Sequence, residues 1–114
     1  MTRILLVDND ATRASLLKDI LEGPGHYELL NCSDLTSAQE IYRNGHPHVS
    51  LVMCACEVGD ENPDPAHVWL EYLSTRRKKV IALSEKGVTG LRTLDRQHLD
   101  ANSLLQTISQ VLGC

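Results

Sequence analysis

Two aspartates, Asp8 and Asp10, stand one residue apart at the end of the aliphatic run Ile4-Leu5-Leu6-Val7. A pair of carboxylates at the end of a buried strand offers the hard oxygen ligands that Mg²⁺ prefers. No third acid accompanies them, so any Mg²⁺ would be weakly held, and the plainer reading is that one of the pair caps a following helix. Cys54 and Cys56 alternate along a second apolar run, which puts both sulfurs on one side of a strand. They fit a redox or soft-metal pair, but His residues at ligand spacing are missing, and the plainer reading is small buried groups. Ser84 follows a third run, Val80-Ile81-Ala82-Leu83, without the glycine-flanked elbow or the His/Asp partners of a nucleophilic serine, which excludes a hydrolase of that type. His46 and His48 flank Pro47 in what reads as a solvated turn.

These residues need a scaffold, and the rest of the sequence supplies one. Short apolar runs alternate with amphipathic segments, the pattern of parallel strands joined by helical crossovers. Strands are expected at Ile4 to Val7, Tyr27 to Asn31, Val49 to Cys54 and Val80 to Leu83, with Leu91 to Leu94 read as a short fifth strand in preference to one helical turn. Helices are expected at Ala11 to Glu22, capped by Asp10 or Asn9 and stopped at Gly23-Pro24-Gly25, and at Thr36 to Arg43, ending on Asn44-Gly45. A third helix, Ala66 to Arg76, carries Val68, Trp69, Tyr72 and Leu73, with Trp69 and Tyr72 read as core. A last helix capped by Asp100 or Asn102 carries a stripe of Leu104, Leu105, Ile108, Val111 and Leu112. In the first helix Leu16, Leu17, Ile20 and Leu21 form the corresponding stripe. The acidic stretch Glu57 to Pro65 holds two prolines and reads as an exposed loop. The fold class is therefore α/β, with one doubly wound parallel sheet of five strands.

At 114 residues the chain suits a single domain over 1–114 that buries roughly two-thirds of its unfolded surface. A formal net charge of -4 provides no broad basic footprint for nucleic acid. The one basic run, Arg76-Arg77-Lys78-Lys79, reads as a solvated helix terminus. No stretch approaches the roughly 20 apolar residues of a membrane span, so no membrane role is expected. Cys32, Cys54, Cys56 and Cys114 form no zinc-ribbon or dense disulfide pattern and are expected as thiols in a cytoplasmic protein.

The motif ILLVDND (Ile4 to Asp10), the Gly25 to Asn31 strand, the helix ending at Asn44-Gly45, His46-Pro47 before a buried strand, and Ile81-Ala82-Leu83-Ser84 together resemble the receiver domain of bacterial two-component response regulators. The likeness runs from about Thr2 to Leu112. It implies a flavodoxin-like sheet of order 2-1-3-4-5, with an acidic pair after strand one for Mg²⁺, an aspartate at the end of strand three that takes a phosphoryl group, a Ser or Thr after strand four, and a Lys after strand five. Asp8, Asp10 and Ser84 match. The acceptor position falls on Met53, whose thioether cannot form an acyl phosphate, and the lysine position falls on Gln97, a neutral amide followed by His98 instead of proline. The interval from Ser84 to Gln97 is too short for both a fourth crossover helix and a strand, so that helix is short or missing. The chain has no Phe, and no Tyr after Tyr72, to serve as the family's switch aromatic.

The resemblance thus points to a pseudo-receiver with a degenerate acidic pocket of Asp8, Asp10, Met53, Ser84 and Gln97. Such a protein is not an enzyme, needs no cofactor beyond weakly held Mg²⁺, and acts through a protein partner, an output domain or a second copy of itself. The alternatives are a residual phosphoryl switch using Glu57 or Asp60, and a thiol or metal sensor through Cys54 and Cys56.

Overall fold

The computed structural model describes residues 2–8, 10–23, 27–45, 48–55, 65–84, 92–95 and 100–113. Strands β1 (Thr2–Val7), β2 (Tyr27–Cys32), β3 (Leu51–Ala55), β4 (Val80–Leu83) and β5 (Thr93–Leu94) form one sheet in the order β2-β1-β3-β4-β5. Helices α1 (Ala11–Glu22), α2 (Leu35–Asn44), α3 (Pro65–Thr75) and α4 (Ala101–Leu112) complete a flavodoxin-like fold. Among the described residues no helix lies between β4 and β5, and none is long and apolar enough to cross a membrane. The chain divides into two compact units, residues 1–52 and 53–114.

In the first unit β1 and β2 pair in parallel, from Thr2 opposite Tyr27 to Val7 opposite Cys32. The pairing continues one step past β1, where the Asp8 N–H donates to the Cys32 carbonyl at 3.0 Å. Ile4, Leu5 and Leu6 are wholly buried, as expected of a strand covered on both faces. Asp10 caps α1 and Asp34 caps α2, each accepting the N–H of the residue three positions on. Gly45 ends α2 at φ +71°, the left-handed conformation that glycine adopts without a Cβ penalty. The α1 stripe differs from expectation. Ala14, Leu17 and Leu21 are buried, Ile20 is half-buried, and Leu16 is exposed, because a helix resting on a sheet buries only a narrow arc.

In the second unit β4 is buried throughout and pairs in parallel with β5. α3 begins at Pro65, one residue earlier than the loop reading allowed, since the missing N–H of proline costs nothing in a first helical turn. It ends before Arg76. Lys78 N–H reaches back to the Leu73 carbonyl and Arg77 N–H to that of Ser74, with Arg77 at φ +61° where a glycine is usual. Ala66, Leu70 and Leu73 form its buried face, so Val68 and Tyr72, read as part of the core stripe, are half exposed. In α4, capped by Asp100 and not Asn102, Leu104, Thr107 and Ile108 are buried while Leu105, Val111 and Leu112 are only partly covered. The basic run is exposed throughout, and Lys79 donates to the Val111 carbonyl at 3.1 Å, so it complements the end of α4. β3 begins at Leu51 instead of Val49, although Ser50 N–H already bonds the Arg3 carbonyl of β1.

Candidate functional site

The acidic pair sits where β1 hands over to α1. Asp8 is buried, with a side chain that is 0% exposed, while Asp10 at the helix N-cap is open to solvent. A buried carboxylate is costly unless its charge and lone pairs are met. Asp8 is met entirely from within the chain. Its Oδ1 accepts the Asp10 N–H at 2.9 Å and Arg13 Nη2 at 2.8 Å, and its Oδ2 accepts Arg13 Nε. This is the two-pronged guanidinium–carboxylate pairing that combines charge with fixed geometry. Arg13 reaches Asp10 as well: its backbone N–H donates to Oδ1 at 3.1 Å, and its Nη1 lies 3.7 Å from Oδ2.

Arg13 was not among the residues singled out from sequence, although a signal existed. It occupies the third position of α1, in the first turn, where the positive end of the helix dipole disfavours a cation by about 0.3–1 kcal/mol. A cation there with no acid near it would be unexplained; three residues after Asp10 and five after Asp8, Arg13 has two partners. The resemblance implies Mg²⁺ at this pair. The residues do not fit it, because both Asp8 oxygens already hold guanidinium protons and Asp10 faces the same cation. Among the described residues no group of three His, Cys, Asp or Glu stands close enough to hold a metal.

Met53 lies within β3 and is 0% exposed, flanked by equally buried Val52 and Cys54. No carboxylate replaces it on that strand. The Cys54 thiol is wholly buried and donates to the adjacent Ala55 carbonyl at 3.6 Å. Cys32 and Cys54 are free thiols; burial, and after it the negative charge of Asp34, pushes the Cys32 thiol above its ordinary value, away from a reactive thiolate. Ser84 is 4% exposed at the end of β4, and its N–H donates to the Leu94 carbonyl, so its backbone continues the β4–β5 pairing. Gln97, His98, Cys56, Glu57, Asp60, Asn9, Leu91, Cys114, His46, Pro47 and the Pro24-Gly25 stop lie outside the described residues.

No family model matches this chain, and no curated protein matches it. Solved structures do. A CheY-like response regulator receiver domain from Methanospirillum hungatei is similar with a TM-score of 0.75 at 20% identity, over 99% of this chain and 94% of that one. A putative response regulator from Chloroflexus aurantiacus gives 0.74 at 21% identity, over 99% and 98%. The CheX–CheY complex with BeF3 and Mg from Borrelia burgdorferi gives 0.71 at 20% identity, over 96% and 88%. At these identities the likeness is one of fold, and the fold of this chain is the one that receiver domains of two-component signalling share.

Proposed function

We propose that residues 1–114 form one receiver-like domain that works in the cytoplasm without phosphorylation, as a signalling module docking onto a protein partner or an attached output domain. The observation that carries this reading is Met53, a fully buried thioether at the position where the resemblance requires an accepting aspartate. The Arg13 guanidinium on Asp8 supports it from the other side, since the same pair that would hold Mg²⁺ for phosphoryl transfer already has a counter-charge. A protein partner fits the exposed side of α3. Val68 and Tyr72, one helical turn apart, are each about half exposed, and the Arg76 guanidinium stacks 4.6 Å from the Tyr72 ring centre. Aromatic and arginine side chains of this kind are enriched in protein interfaces. The Borrelia CheY, similar in fold, occurs in complex with another protein, CheX.

Incubation with acetyl phosphate and Mg²⁺ followed by intact-mass measurement tests the reading. The expected result is unmodified protein. A stoichiometric, hydroxylamine-labile gain of one phosphoryl group would overturn it and would favour acceptance by Glu57 or Asp60.

A further inference from the structure

We propose that Arg13 is the resident cation of the Asp8–Asp10 pair, a tethered guanidinium in the place of a divalent metal, and that it makes this end of the sheet metal-independent. Three observations combine. First, three donors occupy Asp8: Oδ1 and Oδ2 both accept from Arg13, Oδ1 also takes the Asp10 N–H, and each Asp10 oxygen faces an Arg13 nitrogen. A carboxylate has about four acceptor sites, so Asp8 keeps little capacity for a metal that demands near-ideal octahedral oxygen geometry. Second, the guanidinium supplies half of the charge that a divalent ion would bring, and it places that charge on the buried acid. Two carboxylates with one guanidinium leave one net negative charge, and the solvent-exposed Asp10 carries it while the buried Asp8 is neutralised. Third, Arg13 is held for this task by its own backbone. The Asp10 cap takes the Arg13 N–H, which fixes the first turn of α1 so that the side chain, itself only 17% exposed, folds back onto Asp8. The helix dipole opposes a cation there, and Asp8 supplies the compensation.

A divalent ion approaching this pair meets a like charge within hydrogen-bonding distance of its would-be ligands. Removing that charge while leaving both carboxylates should therefore open a metal site that the wild-type protein lacks. The inference concerns only residues 8 to 13 and is read by metal binding alone, so failure to find a docking partner would leave it standing, while metal binding by the wild type would overturn it whatever partner is found.

The test is titration of wild-type protein, Arg13→Gln and Arg13→Lys with Mg²⁺ and Mn²⁺, read by melting temperature and by Mn²⁺ relaxation of water protons. Wild type should show neither a melting shift beyond that given by matched ionic strength nor bound Mn²⁺. Arg13→Gln should bind both ions at least about tenfold more tightly than wild type and melt higher as they are added. Arg13→Lys keeps the charge, guards against a Gln variant too unstable to titrate, and should remain metal-blind. Stoichiometric Mn²⁺ on wild type would overturn the proposal, as would Mn²⁺ binding by Arg13→Lys equal to that of Arg13→Gln, or a folded Arg13→Gln that binds no better than wild type.

Discussion

The end of β1 and the middle of β3 deal with the same problem in opposite ways. At the end of β1 a carboxylate stays buried, because Arg13 and the Asp10 N–H accompany it and satisfy its charge and lone pairs. On β3 the buried position holds Met53, which needs no partner at all. The contrast teaches that the one buried acid among the described residues has its counter-charge built into the adjoining helix, while the buried position on β3 is held by an apolar side chain that needs none.

Substitutions that exchange the two solutions should break the contrast most severely. Removing the counter-charge with Arg13→Ala strands a buried carboxylate and should lower unfolding free energy by about 3 kcal/mol or more in metal-free buffer. Met53→Asp introduces an unpaired carboxylate into a fully buried strand and should cost a similar amount, about 3 kcal/mol, relieved at acid pH as the new group protonates. Denaturant melts of both variants at two pH values check these figures. The double variant Asp8→Asn with Arg13→Ala should recover much of the Arg13→Ala loss, because neither charge is then left alone; a cycle over these variants with no coupling between positions 8 and 13 would show that the pair has no energetic role.

Much of this was legible beforehand, and the reason differs by element. β4 is an unbroken aliphatic run whose bounds match the expectation, and Asn44-Gly45 is a strong stop, whereas β1 begins at Thr2, two residues before its aliphatic run, and the sequence narrowed the caps only to Asp10 or Asn9 and Asp100 or Asn102, of which the structure uses the aspartates. Which face of each helix turns inward depends on the sheet beneath, and this is why Leu16, Val68 and Tyr72 fitted an apolar stripe yet emerge half exposed. The acids of the candidate site were readable from their spacing, but their partner was not. Arg13 acts through a side chain that doubles back over one helical turn, and nothing in a list of metal-like acids points to a cation as their ligand.

Smaller effects sharpen the same comparison by separating backbone fit from charge. Gly45→Ala forces a Cβ into the left-handed region at φ +71° and should cost about 1 kcal/mol, whereas Arg77→Gly, which relieves the same conformation at φ +61°, should raise the melting temperature by a gain of up to about 1 kcal/mol. Asp34 offers an exposed counterpart to Asp8. Bonds from the Ser37 N–H and hydroxyl hold its carboxyl below the ordinary carboxylate value. Its folded value lies below its unfolded one, so the stabilisation is complete above the ordinary carboxylate range and is lost as pH falls through the folded value. Unfolding curves of wild type and Asp34→Ala should therefore converge in acid and separate towards neutral pH.

Our proposal that this scaffold works without phosphorylation can be decided by amide NMR of the wild-type protein during addition of Mg²⁺ with beryllium fluoride, a phosphoryl mimic. Resonances of Asp8, Asp10, Arg13 and Ser84 should stay in place apart from small ionic-strength drifts. Saturable shifts at Asp8 and Ser84 with one-to-one stoichiometry would contradict it.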